Sequence, residues 1–172
     1  TSGVLRRLRP DGTWSETKLA GESWFDHEWG SSQLGEGVVG WDWLGLRLAD
    51  GRDLMLYRLR TKDGGVLPQS SGTLVHPDGR VVHLARGDFA IEELAHWTSP
   101  RTQGRWPVRL SIAVPGQAIS MEATALAVDC ELDGRASTGT VYWEGPVALQ
   151  GATPGEGYLE VTGRAGSLEA RF

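Results

Sequence analysis

Residues 38–61 read VVGWDWLGLRLADGRDLMLYRLRT, and this stretch decides the fold. Apolar residues recur at every second position on both sides of Asp50-Gly51. A period of two is the signature of a β-strand, and Asp-Gly between two such runs is the signature of a hairpin. Alternation places Trp41, Trp43 and Arg47 on one face and Asp42, Leu44, Leu46 and Leu48 on the other. Both faces are therefore largely apolar, which a sheet with one wetted face does not show. The pattern predicts a barrel strand, with one face lining a filled or ligand-holding interior and the other covered from outside.

The same grammar extends in both directions. Val4–Arg9 and Thr13–Leu19 flank Pro10-Asp11-Gly12, and Ser71–His76 and Arg80–Ala85 flank Pro77-Asp78-Gly79. Pro107–Val114 and Ala118–Leu126 flank Pro115-Gly116, while Thr138–Gly151 and Gly155–Gly166 complete the chain. In Thr140–Leu149, Val141, Trp143, Val147 and Leu149 share a face, with Tyr142 and Glu144 opposite. Phe89–His96 reads as a strand or a short helix. With 172 residues, 24 Gly and 8 Pro, and no internal linker, charge block or repeat, an all-β antiparallel barrel is the simplest architecture.

Net charge −5 argues against a nucleic-acid binder and against a polybasic membrane anchor. No apolar run reaches the length of a spanning helix. The chain opens at Thr1 without Met, as expected after a processing boundary. Its one cysteine, Cys130, excludes an internal disulfide, and the carboxylates Asp129 and Glu131 beside it oppose a reactive thiolate. His27, His76, His83 and His96 show no paired ligand spacing, so no metal is expected.

Chemistry concentrates in Ser23–Gly30, SWFDHEWG. On an extended strand Phe25, His27 and Trp29 share one face, and Trp24, Asp26 and Glu28 the other. A histidine on an aromatic face is suited to proton transfer near neutrality. Asp26 and Glu28 form a candidate carboxylate pair. Glu144, between Trp143 and Gly145 in an apolar strand, calls for an arginine, Arg47, Arg58 or Arg109, or for a place at the rim. Trp97 and Trp106 bracket Arg101 and Arg105, an arrangement that suits guanidinium–indole stacking.

Five segments in order, SWFDHEWG, VVGWDWLGLRLADGRDLMLYRLR, HWTSPRTQGRWPVRL, YWEGPVALQG and GYLEVTGRAG, resemble the carotenoid 1,2-hydratase and AttH-like family, over about Gly21 to Ala165. The resemblance implies a lipocalin-like β-barrel of about eight to ten strands in residues 21–172. Residues 1–20 would be an N-terminal hairpin or the remnant of a preceding domain, since the family usually carries two such barrels in tandem. It implies His27, Trp29 and Tyr57 as site residues. In the hydratases an acid close after the tyrosine donates a proton to an alkene; here Arg58-Leu59-Arg60 follow Tyr57, leaving Asp26, Glu28 or Asp42 as substitutes. A periplasmic or secreted location follows from the resemblance alone.

The resulting expectation is a hydrophobic ligand, isoprenoid- or lipid-like, held in a cavity shaped by Trp24, Trp29, Trp41, Trp43 and Trp143, with Glu144 nearby. In the catalytic form His27, polarised by Asp26 or Glu28, moves a proton and Tyr57 assists, in a cofactor-independent hydration, isomerisation or cyclisation. Three alternatives stand beside it. One is a non-catalytic carrier. Another is a carbohydrate-active domain built on Trp platforms with Asp26 and Glu28. The third is a structural domain packed on a missing N-terminal partner or on a second copy.

Overall fold

The computed structural model describes residues 1–26, 37–137 and 139–166. His27, Glu28 and Trp29 lie outside the described residues. The chain divides into two compact units, Thr1–Gln33 and Leu34–Phe172.

The first unit contains one antiparallel hairpin, β1 (Ser2–Leu8) and β2 (Trp14–Ala20), paired from Ser2↔Ala20 to Leu8↔Trp14. Its turn is set by Asp11, whose Oδ1 accepts from the Thr13 amide at 2.9 Å. Both strands expose their apolar side chains, Trp14 among them. Trp24, Phe25 and Asp26 follow in irregular, exposed chain.

The second unit is a single antiparallel sheet. Its strands are β3 (Val38–Leu48), β4 (Asp53–Thr61), β5 (Ser71–Val75), β6 (Val81–Ala85), β7 (Ala90–Thr98), β8 (Arg105–Val114), β9 (Ile119–Ala125), β10 (Glu131–Asp133), β11 (Val141–Gly151) and β12 (Gly155–Thr162). The spatial order is β6-β5-β4-β3-β12-β11-β9-β8-β7, with β10 beside β11. The ten strands fall within the expected number. Among the described residues β6 and β7, the two ends of this order, do not pair, so the sheet is a curled half-barrel without a closed hydrogen-bond ring. Phe89–His96 resolves as strand: β7 pairs with β8 and carries register shifts between Glu93 and His96, irregularity that an edge strand tolerates.

The tight turns follow one local rule. Asp50 and Asp78 each accept, through Oδ1, the amide two residues on, Arg52 at 3.1 Å and Arg80 at 3.0 Å. This asparagine-like turn closes β3–β4 and β5–β6 without a ladder residue to spare.

The core lies on one face. Leu44, Leu46 and Leu48 of β3, with Leu54 and Leu56 of β4, are at most 1% exposed and pack with residues of β8, β9, β11 and β12. Trp106 and Trp143 are the largest fully buried side chains. Each indole N–H finds an acceptor, Glu131 Oε2 at 2.7 Å and the Val128 carbonyl at 2.8 Å, as a buried indole requires.

Candidate functional site

On the opposite face, strand register assembles a row of side chains that sequence distance hides. Tyr57 of β4 lies opposite Trp43 of β3. Trp43 lies opposite Glu160 of β12, and Glu160 opposite Glu144 of β11. With neighbouring strands about 4.8 Å apart, this rung of four side chains spans about 14 Å. Tyr and Trp suit such a half-buried pleated surface. Two carboxylates directly across a rung do not, because like charges there repel.

Neighbouring residues fix the row. The Tyr57 hydroxyl donates to the Gln69 carbonyl at 2.7 Å. The Trp41 Nε1–H donates to Glu160 Oε1 at 2.6 Å. The Trp41 ring stands edge-on to Tyr142, with centroids 6.2 Å apart and planes at 68°. Tyr158 lies on the same face, opposite Gly45 and Pro146. Burial first, and then the charges of Glu144, Cys130 and Glu160, push its hydroxyl above the usual phenolic value. Indole N–H is a donor only, so the Glu160 oxygen facing it serves as an acceptor. Glu144 makes no ion pair among the described residues. Its three expected partners are engaged elsewhere, Arg47 with Asp53, Arg58 with Asp42 and Glu93, and Arg109 with Glu122.

The structure thus brings together Tyr57, Trp41, Trp43 and Glu144 of the expected site, and adds Glu160, Tyr142 and Tyr158. Trp143 stands apart as a core residue, and Trp41 and Trp43 stand on the face opposite the core instead of lining an interior. Asp42, one of the substitute acids, is on the core face, 1% exposed and held by Arg58 and Arg60. Asp26 and Trp24 are exposed in the first unit, and His27, Glu28 and Trp29 fall outside the described residues. Arg101 does not stack on Trp97 or Trp106 but binds Asp129 and Glu131. The Cys130 thiol is pushed up, by burial first and Asp129 second. Among the described residues no three potential metal ligands cluster.

The second unit is thus a curled antiparallel half-barrel with an aromatic and carboxylate row on its non-core face. The AttH-like family profile matches residues 2–164, and the chain belongs to that family. A crystal structure assigned to AttH of Nitrosomonas europaea is similar over 95% of this chain, with 33% identity and a TM-score of 0.83. The structure of kievitone hydratase from Nectria haematococca matches 87% of the chain at 13% identity and a TM-score of 0.58, which shows likeness of fold. The chain covers 49% and 43% of these two proteins, about half of each. No curated protein matches.

Proposed function

We propose that the Tyr57–Trp43–Glu160–Glu144 row binds an apolar, alkene-bearing small molecule and hydrates it by acid–base catalysis. The observation that carries this reading is the rung itself, an aromatic wall ending in two carboxylates on one sheet face. The expected donor after Tyr57 is replaced by arginine in this sequence, and Glu144 supplies a carboxyl on the same face.

In this reading the Glu144 carboxyl delivers a proton to the less substituted alkene carbon. The π electrons form the new C–H bond and leave a tertiary cation over Trp43, whose ring face stabilises positive charge. Water adds to the cation, and the proton it loses passes to the Glu160 carboxylate. Exchange through solvent returns a proton to Glu144. The reaction needs no cofactor. The likeness to kievitone hydratase and membership of the AttH-like family support a hydratase on this scaffold.

The test is incubation of the protein with an acyclic carotenoid in detergent and in water labelled with heavy oxygen. A product carrying one labelled oxygen is expected. Glu144→Gln should lower turnover by about 10²-fold or more, the scale of a positioned acid, while leaving tryptophan quenching by the carotenoid intact. Binding without turnover would reduce the reading to a carrier, and neither binding nor turnover would refute it. His27→Ala in the same assay tests the role that the family motif implies for His27.

A further inference from the structure

The core face carries a second polar constellation that the proposed hydration does not use. Asp42 is 1% exposed and sits between two guanidiniums. Arg58 donates through Nε to Asp42 Oδ2 at 2.7 Å, and Arg60 through Nε to Asp42 Oδ1 at 3.0 Å. Arg58 also donates to the Ile91 carbonyl at 2.8 Å and approaches Glu93 Oε1 at 3.3 Å. Arg60 Nη2 reaches the Thr162 carbonyl. Arg164 donates to Glu93 through Nη2 and lies 3.9 Å from Asp42 Oδ1. His96 Nε2 meets Glu93 Oε2 at 2.7 Å.

The charges do not balance. Among the described residues three guanidiniums face two carboxylates, an excess of one positive charge before His96 is considered. The cluster is largely removed from water, with the side chains of Arg58, Arg60 and Arg164 at 14%, 12% and 20% exposure. Burying charge without a counter-charge is costly. Burial, and then the neighbouring Arg164 and Arg58, pull the Arg60 guanidinium below its usual range despite Asp42. Arg164 Nε is buried and has no acceptor among the described residues. Its position is built into the backbone. Gly163 precedes it at φ +69°, and a Cβ there would fall 1.9 Å from the Val39 carbonyl oxygen. Gly40 likewise leaves room for Arg60, since a Cβ there would lie 2.8 Å from Nη2.

We infer that the Arg58–Arg60–Arg164 cluster is a receptor for one carboxylate group, bound through Arg164 where the cluster reaches solvent beside Glu93. A single negative charge completes the balance, and a planar carboxylate matches the guanidinium fork. A small free acid and the head of an amphiphile present the same group.

The experiment is calorimetric titration of the full chain with acetate, decanoate and inorganic phosphate at neutral pH, with sodium chloride holding ionic strength constant. Acetate should bind one per chain and raise the unfolding temperature beyond chloride. Decanoate at least tenfold tighter than acetate would identify an amphiphile, and equal affinity a small acid; both support the site. Arg164→Gln should weaken acetate at least tenfold. Glu93→Gln, which removes the competing carboxylate, should strengthen it at least threefold. If Arg164→Gln does not fold, Arg164→Lys keeps the charge without the fork and should still weaken binding. Acetate no better than chloride, phosphate binding alone, or unchanged affinity in a folded Arg164 variant would overturn the inference.

Discussion

Glu131 of β10 gives the sharpest test of how this fold is held. Its side chain is fully buried. It accepts from Ser99 Oγ at 2.7 Å, Thr102 Oγ1 at 2.6 Å, Trp106 Nε1 at 2.7 Å and Arg101 Nε at 3.2 Å. One short strand is thereby tied to the β7–β8 turn and to the largest indole of the core. Oε2 serves Thr102 and Trp106, while Oε1 serves Ser99 and Arg101. Glu131→Gln replaces one of these oxygens by an NH2 group that faces two donors. Two hydrogen bonds to a charged acceptor are lost, each worth about 1.5–3 kcal/mol. The expected destabilisation is about 3–6 kcal/mol, or a fall in Tm of about 6–24 °C for a chain of this size. Burial pushes the Glu131 carboxyl upward, but the bonds from Thr102, Ser99, Trp106 and Arg101 outweigh it and hold it below the usual value. A carboxyl lowered on folding contributes stability above its unfolded pKa and loses it as pH falls through the folded one. The gap between wild type and Glu131→Gln, measured by urea unfolding, should therefore be widest near neutrality and shrink below about pH 4. A gap under about 1 kcal/mol, or one constant with pH, would refute the reasoning.

Asp42→Ala leaves Arg58 and Arg60 without their shared counter-charge and should cost about 3–5 kcal/mol in chemical denaturation, whereas Asp53→Ala, which breaks a half-exposed pair with Arg47, should stay within about 1 kcal/mol. Gly163→Ala combines a left-handed backbone with the clash on the Val39 carbonyl. It should destabilise by about 3 kcal/mol or more, read as a lowered denaturation midpoint.

Much of this architecture is legible in the chain because its rules are local. Alternation in 38–61 and the Asp-Gly turns predict strands and hairpins with few errors of type. Pairing order is not local. Nothing in the run 157–163 says that β12 lies between β3 and β11, and without that step Glu160 is one polar residue in a strand. Parity also separates the faces of β3 without saying which is inside. Two apolar faces offer two solutions, and the expectation placed Trp41 and Trp43 toward the interior. The structure chooses the leucines, which carry no polar atom and so pack without needing an acceptor. Trp41 turns its N–H to Glu160. Asp42, Arg58 and Arg60 were unreadable as a unit, because only register across β3 and β4 brings the carboxylate and the two guanidiniums together.

The contrast between Asp42 and Glu144 bears on which acid can act as a reagent. Both interrupt apolar strands, and both were candidates by composition. Asp42 faces the core, where an unpaired carboxylate would be prohibitive, and its two oxygens are taken by two guanidiniums. It is the counter-charge that the two arginines share. Glu144 faces the other way, makes no ion pair among the described residues, and lies across from a second carboxylate that an indole holds as an acceptor. The sheet pairs one acid with arginines on its core face and sets the other, without an ion pair among the described residues, on the face that carries Tyr57 and Trp43. That difference is the ground on which proton transfer is proposed for the Glu144 row.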